Sequence, residues 1–123
     1  KVEDFSDHLF VVVRMLTVGD GALQNEQISV FFFRDTVLTF QEHEGDVWDP
    51  VRQRIQNPAS RLRSQGTPYL LYVLLDAVVD HCFPILEGYG DLLEELEDKV
   101  VETPSPEVQQ SIHAVKRELL VLR

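Results

Sequence analysis

The chain has 123 residues, and 21 acids against 11 lysines and arginines leave it at −10. That length suits one domain or part of one, and a hydrophobic fraction of 44% with 26% charged residues is ordinary for a chain that folds. So negative a surface repels phosphate backbones and attracts cations, which excludes general nucleic-acid binding. A single cysteine, Cys82, excludes an internal disulfide and falls on an apolar face, where it reads as a small buried hydrophobe in a reducing, cytosolic setting.

Lys1 to His8 is a charged lead-in without the apolar core or cleavage site of a signal peptide. Leu9 to Thr17 is β-branched and apolar, as a strand buried on both faces would be. Val18-Gly19-Asp20-Gly21 signals a turn. Residues 26–33 alternate, with Gln27, Ser29 and Phe31 on one side and Ile28, Val30 and Phe32 on the other. Arg34-Asp35 turns the chain into a third strand over 36–41, giving a three-stranded antiparallel meander.

Asp49 then reads as an N-cap before Pro50, opening a short helix over 50–56 whose inner face carries Val51 and Ile55. Another turn or two of helix over 59–65 leads to Gly66. A long helix is expected over 67–102, with Thr67 as N-cap. At about 100° per residue, Leu71, Leu74, Val78, Cys82, Ile85, Tyr89, Leu92, Leu96 and Val100 share one side. Asp76, Asp80, Glu87, Asp91, Glu94 and Asp98 line the other. Both stripes keep their phase through Pro84, Gly88 and Gly90, so a bend near Pro84 is expected, not an end. Ser105 caps a last helix over 106–123, whose seam Val108, Ile112, Val115, Leu119 and Leu122 steps by four and three and should run back antiparallel along the long helix. The fold class is therefore α+β, divided at Gly66 into a sheet-bearing part, 1–66, and a helical hairpin, 67–123.

No run of 18 uncharged apolar residues occurs, so no span of a bilayer is expected. The chain opens on Lys1 and reaches Arg123 without a helix stop signal, as a piece of a longer protein would.

Glu42, His43, Glu44, Asp46 and Asp49 are candidate metal ligands at no zinc or EF-hand spacing, and read as a polar loop with a helix cap. His8, His43, His81 and His113 are scattered, with no partner for acid–base work, so no catalytic residue is named. Arg52, Arg54, Arg61 and Arg63 form a basic island without a glycine-rich phosphate loop, and read as solvated or paired with acids. Asp76 and Asp80 stand apart from the other acids. Leu74, Leu75, Val78 and Val79 flank them, so at an interface their charge calls for a cation or donor opposite.

The run TFQEHEGDVWDPVRQRIQN, then Arg61-Leu62-Arg63 and YLLYVLLDAVVDHCFPILE, resembles the CorA family of magnesium and cobalt channels. The likeness extends through LEELEDKVVETPSPEVQQSIHAVKRELLVLR and covers essentially the whole chain. The resemblance implies part of a cytosolic α/β domain and its helical hairpin, ahead of a stalk helix, membrane spans and a Gly-Met-Asn pore signature that have no counterpart here. It implies a non-enzymatic channel for Mg²⁺ and Co²⁺, pentameric when complete, with this portion at the cytoplasmic face of the membrane and attached to it only through the missing spans. It also implies regulatory Mg²⁺ at carboxylates between subunits, with Asp76 and then Asp80 the acids carried over and binding weak in this portion alone. A related zinc transporter and a helical-hairpin interaction module are the competing readings.

Overall fold

The computed structural model describes residues 1–122. It contains a four-stranded antiparallel sheet in the order β1-β2-β3-β4, with strands Val2–Asp4, Leu9–Gly19, Ala22–Phe32 and Val37–Phe40. The sheet has one strand more than expected, because the charged lead-in contributes β1, which pairs Val2 with Val11 and Asp4 with Leu9. β2 and β3 also run further toward each other than their apolar pattern indicated. Only Asp20 and Gly21 are needed for the turn, with φ of 52° and 75°. Positive φ at both central residues is the geometry of a two-residue hairpin turn whose twist matches the strands. At the other end of β3, Phe33 N–H donates to Thr36 O (2.8 Å), leaving Arg34 and Asp35 at the tip.

Helices α1 (Asp49–Gln56), α2 (Arg61–Ser64), α3 (Thr67–Glu102) and α4 (Pro106–Leu119) follow, with a 3₁₀ turn at Leu120–Leu122. The last helical segment thus tightens at Leu120, short of the expected end, and Arg123 lies outside the described residues. α3 has the expected bounds and continues through Pro84. Its length and composition alone would let it cross a membrane, with a mean hydropathy of 1.6 over one 18-residue stretch; Asp76 and Asp80 interrupt the uncharged run. Two expected caps are displaced. α1 is capped by Trp48 without a side-chain bond, Asp49 being its first residue. Thr67 begins α3, its hydroxyl donating to Arg34 O at 2.7 Å. Ser105 caps α4 as expected, accepting the Val108 N–H.

The chain divides into two compact units, one formed by residues 1–15 and 26–81, the other by residues 16–25 and 82–123. The first holds a continuous core of Val11, Met15, Ile28, Val30, Trp48, Val51, Leu62, Val73, Leu74 and Val78. Ile28 and Val30, on one side of β3, are wholly buried. Phe31, on the other side, packs against Phe10 at 4.7 Å with the rings tilted by 39° and meets Phe40 edge-on at 5.7 Å. The sheet therefore has an aliphatic face and an aromatic one. Ile55, expected beside Val51, is 41% exposed. In the second unit, Leu96 and Val115 are buried. Tyr89 bonds Glu118 while Leu96 and Ile112 line one groove, so the pairings walk in opposite directions, as antiparallel helices require. Cys82 is half-buried, and Leu122, expected in the seam, is 39% exposed.

Candidate functional site

The local chemistry of the first unit begins at Asp46. Its carboxylate accepts the Trp48 N–H at 2.8 Å, fixing the entry to α1, and takes the Arg52 guanidinium in a two-pronged contact. Arg52 also reaches Asp49 at 2.8 Å. The hydrogen bonds from Arg52 hold the Asp46 carboxyl below the usual carboxylate range, against an opposing push from partial burial. Two of the five candidate ligands between Glu42 and Asp49 are thus occupied by an arginine. A further carboxylate, Glu26, is 8% exposed and accepts the backbone N–H groups of Glu42 (2.8 Å) and His43 (2.7 Å). Glu26 anchors the loop, a role invisible in the sequence because it lies in an alternating strand far from that loop.

Trp48 closes this region from inside. It is 4% exposed, and its indole N–H donates to Leu74 O at 3.0 Å, tying the loop before α1 to the first third of α3. That tie fixes the azimuth of α3: Leu74 and Val78 point into the core, and the opposite side of the helix faces outward.

Asp76 and Asp80 lie on that outward side, both exposed and one helical turn apart. At about 100° per residue, Tyr72, Asp76, Val79 and Phe83 fall within an arc of roughly 60°. The three apolar members are 58%, 55% and 56% exposed. Asp76 therefore sits at the edge of a solvent-facing apolar stripe, with Asp80 one step further round. Among the described residues no ion pair involves either acid. Nor does any group of three His, Cys, Asp or Glu side chains among them come close enough to hold a metal. Mg²⁺ takes six oxygen ligands and keeps several waters, so these two carboxylates fit the ion only as part of a larger set.

The second unit holds a polar contact that sequence patterning did not single out. The Tyr89 hydroxyl donates to Glu118 Oε2 at 2.5 Å, which pushes the phenol up to about 12. The pair borders an open apolar groove of 420 Å³, with Val18, Pro84, Ile85 and Gly88 among its walls. Glu87, Asp91, Glu94 and Asp98 lie exposed elsewhere on α3, as the helical period requires.

Residues 1–123, the whole sequence, match the family described as CorA-like Mg2+ transporter protein. The chain belongs to the CorA family. The "Cobalt/magnesium transport protein CorA" of Thermotoga maritima is 42% identical over 125 residues, taking in all of this chain and 36% of that protein. The "Putative metal ion transporter YfjQ" of Bacillus subtilis is 25% identical over 123 residues, again all of this chain and 38% of that protein. The chain thus spans under two-fifths of the length of these two relatives. In fold it is similar to the soluble domain of CorA from Methanocaldococcus jannaschii, with a TM-score of 0.79 at 21% identity over 98% of this chain and 48% of that one. The complete CorA magnesium transporter of the same organism gives 0.76 at 20% identity over 99% of this chain and 38% of that one.

Proposed function

We propose that this chain is a cytosolic regulatory portion of a CorA-type transporter of Mg²⁺ and Co²⁺, and that Asp76, with Asp80 one turn on, senses intracellular Mg²⁺ across a boundary between subunits of an oligomer, a pentamer in the complete protein. The observation that carries the transport reading is the match over the chain's full length to a cobalt/magnesium transport protein. The sensing reading is supported by the placement of Asp76: exposed, without an ion pair among the described residues, and beside the exposed side chain of Val79, which would be buried at a contact between copies. Two carboxylates brought against a second copy's surface repel other acids there and are left short of water, and a hard cation relieves both costs. Its binding adds a contact to the closed arrangement alone, and its loss removes that bias.

The test is Asp76→Asn in the intact transporter. The Mg²⁺ concentration that halts transport shifts upward, and an unmoved inhibition curve removes Asp76 from the sensor while leaving the transport reading untouched. The chain by itself, holding two of the necessary ligands, binds Mg²⁺ weakly; submicromolar affinity in calorimetry contradicts a site shared between subunits.

A further inference from the structure

From Pro50 to Leu75 the sequence contains four arginines and no Asp or Glu, in a chain whose net charge is −10. Arg52 is neutralised by Asp46 and Asp49. Arg54, Arg61 and Arg63 are exposed, and among the described residues none of them makes an ion pair. Two of these three make contacts around the end of α1 and the start of α3. Arg63 Nη1 donates to Ile55 O at 3.4 Å, beside Arg54 at the end of α1. Arg54 Nη2 donates to the Tyr69 hydroxyl at 3.5 Å. Tyr69 in turn stacks on Tyr72, with ring centroids 6.0 Å apart and planes 26° from parallel, and Tyr72 is 58% exposed. Arg61 is set apart: it is two residues from Arg63 on α2, about 200° round the helix, with buried Leu62 between them.

We propose that Arg54, Arg63, Tyr69 and Tyr72 form a binding site for a nucleoside polyphosphate, the two guanidinium groups holding the phosphates and the open ring of Tyr72 taking the base. Each contact at this site engages one arm of its arginine, and a guanidinium carries five N–H donors in a planar fork suited to phosphate oxygens. The Arg63 contact also sets a cation on the carbonyl end of α1, offsetting the partial negative charge that would otherwise repel an anion there. A tyrosine pair presenting one free face is a stacking platform for any base. The overall negative charge keeps long polyanions away, so the fit is to a small phosphate ligand held locally.

The experiment is calorimetric titration of the chain with ATP and, separately, with sodium tripolyphosphate. Both are run in EDTA, so that no carboxylate-bound cation carries the phosphates to the protein. ATP binds saturably; Arg54→Gln and Arg63→Gln each weaken both ligands about tenfold, and Tyr72→Ala weakens ATP about fivefold or more while sparing tripolyphosphate. Arg61→Gln leaves both affinities nearly unchanged. These are surface substitutions, and circular dichroism confirms that the variants keep their helix. Absence of saturable binding at millimolar ligand overturns the proposal. So does an Arg61→Gln loss equal to that at Arg54, which reduces the effect to diffuse positive charge. A chain that ignores both ligands but dissociates from its own copies on Arg54→Gln makes the patch a protein contact, and the nucleotide site is then wrong.

Discussion

The two compact units use one long helix in opposite ways. In the first, the opening turns of α3 bury Val73, Leu74 and Val78 against the aliphatic face of the sheet and Trp48. In the second, the later turns of α3 bury Leu96, while Leu92 and Val100 on the same side are 38% and 40% exposed. The apolar repeat of α3 keeps its steps of three and four residues through both stretches. Periodicity therefore dictates that the segment is helical and which side is apolar; how much of that side is covered depends on what the chain supplies to cover it. Strands and short helices supply a great deal in the first unit, and α4 supplies a narrow seam in the second.

The most direct way to break the contrast is to remove the centre of each unit. Trp48→Ala deletes a buried aromatic and its bond to Leu74 O, and should cost about 3–5 kcal/mol in urea unfolding. Leu96→Ala deletes a side chain of comparable burial, 6% exposed, but with open neighbours that let water into the gap. Its cost should lie near the bottom of the range for such truncations, about 2 kcal/mol. Equal losses at the two sites in the same denaturation assay would mean that the units are equally well packed, and the contrast drawn from exposure would fail.

What could be read from the sequence follows the same division. Helix positions, the Ser105 cap and the acidic stripe came from spacing within one segment, and all of them depend on local geometry. The β1 strand did not, because Val2 and Glu3 acquire strand character only by pairing with Val11 and Phe10. Nor did the α1 cap: Asp49-Pro50 has the local signature of a start, but Arg52 draws Asp46 and Asp49 together and Asp46 takes the Trp48 N–H, so the helix begins a residue earlier. Asp76 and Asp80 were legible as a pair one turn apart. Their position beside an exposed apolar stripe became visible only once Trp48 had fixed the azimuth of α3. The Tyr89 and Glu118 contact joins residues on two helices, and nothing in either helix alone announces it.

A smaller effect separates the units by pH. The Asp46 carboxyl, chiefly through its hydrogen bonds from Arg52, has a folded value below its ordinary 3.8. A depressed carboxylate contributes stability that is whole above the ordinary value and drains away as pH falls through the folded one. The first unit should therefore lose stability in that acid window, and Asp46→Asn should flatten this part of the melting-temperature curve. In the second unit the sign is reversed and the window basic. Tyr89 is pushed up to about 12 from 10.0 by Glu118, so its contribution is whole below 10.0 and lost as pH rises toward the folded value. Tyr89→Phe should flatten the alkaline limb without touching the acid one, and a shared response to both substitutions would erase the distinction.

The gentlest probe adds atoms where the second unit has room. Gly88 and Gly90 lie within α3, and a Cβ placed on either meets no neighbour within 4 Å. Neither position has the positive φ that makes a turn glycine such as Gly21 hard to replace. With helical backbone and open space, alanine restricts the unfolded chain and costs nothing in the folded one, so Gly88→Ala and Gly90→Ala should each stabilise by about 0.4–1 kcal/mol. The gain should appear as slower amide exchange in the later turns of α3, with little change at Ile28 or Val30. Destabilisation by either substitution would mean that this stretch needs a backbone freedom that a continuous helix does not use, and the second unit would then be held by something other than the regular seam of α3 and α4.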